Sequence, residues 1–348
     1  MNAPGPASTP FLPERTAIRG LCSTEVVFSH ALQAAGVGLA GIVVLGTVAG
    51  WLTGFLAHLG FVAVGLFMAL SSYLILGSLE RNRDMKRYFV RRVKRTWPLF
   101  FGTCVAVFLL MDRNWVTLAY NLAFLAPWFP AHTFSVPFNT ASGYVVWNLE
   151  IEEWAYLCFP LVICLSEKGR TVVGYGLVGG SVAAYMGAQA GLSPWSVTYI
   201  SPFPWLVCFG AGILAYEATQ DFQRWGPVVT VGMVLSVLLV PWPWVMVGSA
   251  PFAAWVVKYP PLWLRKVALV AVGEISYGTY LVHMAFIDYL GPLGAIPAFA
   301  AGGGLEYLQR GRDIRKNIRK TRSMASVGDL PKIEALRAGK AALDAHPD

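Results

Sequence analysis

The chain has 348 residues, of which 56% are hydrophobic and only 13% charged, with a formal net charge of +8. A soluble globular domain carries about a quarter charged residues, so this composition excludes an ordinary soluble fold and points to a polytopic membrane protein. The basic residues collect in short connections and in the C-terminal stretch, as the positive-inside rule requires, which excludes nucleic acid as the partner that the net charge suggests at first sight.

Residues 1–18 are Pro- and Ser-rich and read as a polar N-terminal tail with no cleavable signal. From residue 19 to 305 the chain reads as one multi-span domain, and 306–348 as a charged cytosolic tail, part helix and part disordered. The first apolar run accommodates a Gly-interrupted span from about 20 to 46 and a return from about 58 to 79, with His58 near the outer end. Eight of the fifteen residues from Arg81 to Arg95 are Lys or Arg, which places that connection in the cytosol. Trp97–Met111 then goes out. Residues 113–143, broken by Pro127 and Pro130, read as an outer-face or re-entrant segment.

Further spans are expected at Tyr144–Ser166, about 171–190, Phe203–Ala218, a Pro- and Trp-rich pair between 226 and 257, and 267–290. Between them charged connections alternate with uncharged ones. A last return, 291–305, is short for a crossing. The fold class is therefore all-α: a polytopic membrane helix bundle of about ten spans with cytosolic N- and C-termini. Cys22, Cys104, Cys158, Cys164 and Cys208 match no metal or disulfide spacing and read as small buried hydrophobes, so no metal site is expected.

Four stretches carry candidate chemistry. Arg19 and His30 are eleven residues apart, so on a helix they fall within about 20° of one face and about 16 Å apart along it. Ionisable groups inside a span are functional candidates by default. Glu25 stands off that stripe and is expected to pair with another helix. In Trp147–Tyr156, Glu150, Glu152 and Glu153 put three carboxylates in four residues. If buried, they do not all ionise, leaving one able to exchange a proton near neutrality; if they face water, they merely favour a helix start. Counted from Tyr144 at the outer surface, Glu152 lies about 12 Å deep, a depth similar to that of His30.

Arg91, Arg92 and Arg95 cluster on the cytosolic side, either to grip phosphate groups or to set topology against anionic lipid. The fourth stretch contains Ser276, Tyr277, Tyr280 and His283. Tyr280 and His283 are neighbours on a helix, where a lone His is either a structural hydrogen-bonder or a participant. The His283–Asp288 spacing puts those two on different faces and is set aside.

Taken in order, these stretches resemble the integral-membrane acyltransferase-3 family, whose members O-acylate carbohydrates. Arg19–His30 resembles the family's Arg-x10-His motif, and Val64–Ile75 its Gly-Val-Asp-Leu-Phe-Phe-x-Leu-Ser-Gly-Phe-Leu-Ile segment. Arg91–Pro98 is similar to Arg-Arg-x-x-Arg-x-x-Pro, Trp147–Tyr156 to Trp-Ser-Leu-Ser-x-Glu-x-x-Tyr, and Glu274–His283 to Gly-x-Ile-Ser-Tyr-x-x-Tyr-Leu-x-His. Gly65, Ser72 and Glu150 depart from the family's Asp, Gly and Ser, and Met284-Ala285 follows His283 where Trp-Pro is frequent.

The resemblance implies transfer of an acyl group, most often acetyl, from acyl-CoA as co-substrate to a hydroxyl of a saccharide or lipid-linked saccharide, with no bound cofactor, in a bacterial inner membrane. Under it, His30 is general base or proton relay, and Glu152 orients the imidazole or handles the second proton. Arg19, Arg91, Arg92 and Arg95 hold the donor phosphates, while Glu153, Tyr156, Ser276, Tyr277, Tyr280 and His283 support the site or the acceptor. The alternatives are a transporter or flippase of a glycan intermediate, and a non-catalytic member of a polysaccharide-synthesis complex. No internal repeat is visible, which weighs against the transporter.

Overall fold

A computed structural model describes residues 12–35, 48–81, 83–132, 146–194, 201–239 and 244–326, without the side chains of 48–58, 130, 325 and 326. The expected 36–46 portion of the first span, the His58 side chain, residues 133–143 and the chain beyond 326 lie outside the described residues. Within them the fold is helical, with no strand. Five helices are long and apolar enough to cross a bilayer, and two shorter apolar ones accompany them.

Helix α1 is Pro13–Ala34. It begins six residues ahead of Arg19, with Pro13 in its first turn, where a missing N–H costs nothing. Helix α2 is Val48–Arg81 and α3 is Met85–Leu110. Asp84 caps α3 by accepting from Arg87 N at 2.9 Å, so the basic stretch expected as a connection is instead the first turns of a helix. Helix α4, Trp115–Leu122, is about 12 Å long and followed by two 3-10 turns, too short to cross.

Next come α5 (Val146–Val162), α6 (Glu167–Gln189), α7 (Leu206–Glu217), α8 (Gly226–Leu239) and α9 (Val245–Lys258). The single span expected at 267–290 is two helices, α10 (Val267–Glu274) and α11 (Ser276–Leu290), broken at Ile275. The expected last return is the start of α12, which runs from Ala295 to Ser326 with a kink at Arg310. It passes through residue 305 without interruption, and Glu306, Ile314 and Thr321 are buried.

Helices α1 and α2 form the middle of the bundle. Helix α2 packs on α1, α7 and α9, and α1 packs also on α10 and α11. The charged connections meet one another, as their alternation along the chain requires. Arg170 at the start of α6 bonds Glu217 at the end of α7 at 2.5 Å and lies 3.8 Å from Glu80 near the end of α2. Lys258 donates to the Ala218 carbonyl, and Arg265 pairs with Glu14. Apolar side chains such as Leu110, Leu161, Val172 and Leu239 remain exposed, a surface suited to lipid rather than water. The protein is integral to the membrane. Cys22, Cys104 and Cys208 are buried as expected; Cys158 and Cys164 are exposed among these outward apolar groups, because they lie on the outer side of α5 and just past its end.

Two prolines shape the packing. Pro98 in α3 has no N–H for the Lys94 carbonyl, and Gln309 of α12 donates to that carbonyl at 2.9 Å. Pro160 in α5 likewise frees the Tyr156 carbonyl, which accepts from Tyr88 of α3 at 3.1 Å. The Tyr156 carbonyl is buried, where an unpaired carbonyl is costly, while the Lys94 carbonyl is bonded at the exposed, basic end of α3.

Helices α1 and α10 touch backbone to backbone. A Cβ on Gly20 would lie 2.6 Å from Gly273 N, and one on Gly273 would lie 1.9 Å from the Thr16 carbonyl oxygen. Small residues let membrane helices approach this closely. Gly20→Leu is expected to lower the melting temperature in detergent by about 5–10 °C through overpacking. Gly102→Leu, at a position with nothing within 4 Å, should leave it unchanged or slightly higher, and the two melts side by side check the contact.

Candidate active site

Arg19 and His30 share α1, as their spacing requires, and each meets a different part of the bundle. His30 Nδ1 lies 2.8 Å from His283 Nε2, and the two rings stack at 5.1 Å with 11° between their planes. His283 is fully buried, and its Nδ1 is 2.6 Å from the Tyr280 carbonyl oxygen.

This chain of contacts dictates the proton positions. A carbonyl only accepts, so His283 Nδ1 carries the hydrogen. A neutral imidazole has a single N–H, so His283 Nε2 accepts from His30 Nδ1. His30 Nε2 is then left with the lone pair.

Arg19 stands at the other end of the stripe. Arg92, Glu152, Tyr156 and Glu274 act on it electrostatically. The Arg92 guanidinium lies 4.1 Å from the centre of the Tyr156 ring and 5.8 Å from that of Tyr88, within cation–π range of both. Arg95 has the positive charges of Arg19, Arg92 and Arg310 around it, with Glu306 as its acidic neighbour. Arg92 and Arg95 therefore turn inward from the same turn of α3. Arg91 does not join them: it is exposed, and its Nε donates to the Arg87 carbonyl at 3.3 Å.

The three glutamates of α5 have separate surroundings. Glu152 is buried, accepts from the Tyr156 hydroxyl at 3.0 Å, and shares the fields of Arg92 and Arg19. It thus belongs to the arginine end of the stripe, whereas the bonded neighbour of His30 is His283. Depth counted along one helix did not anticipate this: Glu152 and Tyr156 act on Arg19. Glu153 accepts from Thr96 at 2.9 Å and from the Trp97 indole at 3.2 Å, clamping α5 to α3. Glu150 is fully buried and accepts from Ala126 N at 3.1 Å, holding the turns after α4 against α5.

Ser276 and Tyr277 of α11 have hydrogen-bond partners within the bundle. Ser276 donates to the Gly273 carbonyl and accepts at its own carbonyl from Ser23; Tyr277 donates to the Thr96 carbonyl at 2.8 Å. Ser72, a departure from the family pattern, sits where a Cβ at residue 212 would clash with it, so the two positions are complementary. Gly65 faces the Met246 and Cys208 side chains. Glu25 Oε1 has no hydrogen-bond partner among the described residues.

Against the face of α1 between Arg19 and His30 lies a small, largely apolar cavity, with room for about one water molecule. Cys22, Ser23 and Val26 line it from α1, and Asn148, Tyr277 and Tyr280 from α5 and α11. The arrangement offers a cluster of cations at one end of the α1 stripe and a basic imidazole nitrogen at the other. No group of three or more metal-type ligands occurs among the described residues.

Arg310 and Glu306 were not singled out from the sequence, where they read as tail, whereas Glu274 opens the fourth stretch. Arg310 pairs with Glu306 at 2.6 Å and Glu274 at 3.5 Å; Glu306 also accepts from Gly278 N at 2.8 Å, capping the start of α11. The available signal was a pair of acids in apolar surroundings, Glu274 and Glu306, each of which needs a basic partner.

Comparison with known proteins agrees with this picture. The family model for acyltransferase-3, described as an acyltransferase domain, matches residues 16–308. A protein of Acidianus two-tailed virus, provisionally named an acetyltransferase, is 31% identical over 287 residues, covering 75% of this chain and 83% of its own length. Proteins of Staphylococcus aureus strains COL and MSSA476, provisionally named O-acetyltransferases, are 24% identical over 320 residues, covering 73% of this chain. The chain spans about half the length of those staphylococcal relatives, 50%. No solved structure matches.

Removing the Glu150 carboxylate leaves the Ala126 N–H buried and unpaired. Glu150→Ala is therefore expected to speed proteolytic cleavage within 123–132 by roughly ten-fold, while Glu150→Gln, which keeps an acceptor, stays near the wild-type rate. Cleavage rates in detergent, read by mass spectrometry, check it.

Proposed function

The chain belongs to the acyltransferase-3 family and is an acyltransferase of groups other than aminoacyl; from that premise we propose that it moves an acyl group, acetyl by the family's habit, from acyl-CoA to a hydroxyl of an exported or surface saccharide or lipid-linked saccharide. A bacterial inner membrane is the setting that fits such a donor and acceptor. The observation that carries the reading is the Tyr280–His283–His30 relay at one end of the α1 stripe whose other end holds Arg19, with Arg92 and Arg95 beside it.

In this reading His30 Nε2 takes the proton of the acceptor hydroxyl as its oxygen attacks the thioester carbonyl. The imidazolium that forms is stabilised by His283, whose Nε2 accepts from Nδ1 and whose own N–H is held by Tyr280. Collapse of the tetrahedral intermediate breaks the C–S bond, and the thiolate takes the proton back from His30. The products are an ester and free CoA thiol. His283 here does what the carboxylate does in a Ser-His-Asp triad, fixing tautomer and ring orientation. Guanidinium groups are suited to the donor's phosphates, and Glu152 and Tyr156 keep Arg92 in place. The outward Arg91 is the least suited of the three to that task.

Membranes carrying the protein should release CoA thiol from acetyl-CoA in the presence of acceptor, and the acceptor glycan should gain one acetyl mass. A transporter would do neither. His30→Ala is expected to lower kcat at least 100-fold with the fold intact, and full transfer by a correctly inserted variant would refute the assignment. His283→Ala should lower kcat by a similar order with little change in donor KM, and unchanged kcat would remove His283 from the relay. Arg92→Ala should weaken CoA binding about ten-fold, and Arg91→Ala hardly at all; equal affinities for both variants and wild type would remove the cluster from donor binding.

A further inference from the structure

The break at Ile275 gives α11 an N-terminus inside the bundle, where the first N–H groups of a helix lack intrahelical partners. Gly278 N, which an unbroken helix would turn to the Glu274 carbonyl, donates instead to Glu306 Oε2 of α12 at 2.8 Å. The contact is tight. Glu306 is 1% exposed, and a Cβ on Gly278 would lie 2.3 Å from the Gly302 carbonyl oxygen, so α11 and α12 meet backbone to backbone one turn before Glu306.

His283 follows Gly278 on the same helix by five residues, about 7.5 Å along the axis. Its Nε2 has to meet His30 Nδ1 of α1, and does so at 2.8 Å. Glu306 holds α11 by a backbone N–H, and so fixes the height of what lies beyond it. The other oxygen of the same carboxylate faces the donor end. Glu306 Oε1 accepts from Arg310 at 2.6 Å, and Glu306 is the acid whose charge acts on Arg95. A cap needs only an acceptor, which an amide also supplies; the negative charge is what acts on the arginines.

We propose that Glu306 is a positioning residue with two separable tasks. Its cap sets the height of α11, and with it the meeting of His283 and His30. Its charge moderates the pull of Arg95 and Arg310 on the donor's phosphates. The proposal rests on the acyl-CoA reading of the site and gives Glu306 no contact with the reacting atoms.

Two variants separate the tasks. Glu306→Gln keeps the acceptor and drops the charge, whereas Glu306→Asp keeps the charge and is one methylene too short for Gly278 N. Membranes carrying the protein and its acceptor are given saturating acetyl-CoA and their thiol release is timed; the solubilised protein is titrated with CoA by calorimetry. The Asp variant is expected to turn over about ten-fold more slowly, with CoA affinity within about two-fold of wild type, because small misplacements of reacting groups are costly. The Gln variant should regain turnover to within about three-fold of wild type and bind CoA about three-fold more tightly. Damage to packing alone does not tighten a ligand. Unchanged turnover in the Asp variant would overturn the proposal, as would an equal loss in both variants or unchanged CoA affinity in the Gln variant. If the Asp variant does not fold, the Gln variant decides alone: retained turnover with tighter CoA binding supports the proposal, and any other pair of readings overturns it. Wild-type membranes that release no thiol would instead sink the acyl-CoA reading, and the proposal with it.

Discussion

Inside a bilayer no water is at hand to satisfy a backbone carbonyl, and that scarcity organises this protein's interior. Pro160 releases a buried carbonyl that Tyr88 serves, and Pro98 one at the basic end of α3 to which Gln309 donates. These bonds tie α3 to α12 and to α5 beside Arg95 and Arg92. The Tyr280 carbonyl does comparable work at the far end, where it fixes the proton of His283 and, through it, that of His30. Backbone groups thus set the positions of the charged cluster and the protonation of the imidazole pair.

The division of labour among the acids follows from the same economy. Three glutamates within four residues of an apolar helix look interchangeable, yet each has a different donor: Ala126 N for Glu150, the Tyr156 hydroxyl for Glu152, and Thr96 with Trp97 for Glu153. Neighbours in sequence on a helix point about 100° apart, so each meets a separate wall of the bundle. Only Glu152 shares the fields of Arg19 and Arg92.

What could be read from the sequence was whatever depends on local spacing. Eleven residues put Arg19 and His30 on one face of α1, and the short, Pro-broken stretch after Asp112 does not cross in the part described. The alternation of charged connections anticipated which helix ends meet. The meeting of His30 with His283 was not legible, because 253 residues separate them and no helical period reports which helix packs opposite. Nor was the break at Ile275, where an apolar run reads as continuous although its backbone is not helical. Arg310 was hidden for another reason: its neighbours in sequence are basic and polar, while its neighbours in space, Glu274 and Glu306, are buried acids.

The stretch that reads as tail turns out to close the cationic end of the site. Glu306, Gln309 and Arg310 reach it from α12, some three hundred residues after the helix that carries Arg19. During synthesis the earlier helices enter the membrane with Lys94's carbonyl unserved, the start of α11 uncapped and Arg95 without its acid. A ribosome has to translate past residue 310 before those needs are met, so a chain halted short of that point holds every motif residue and still lacks a finished enzyme.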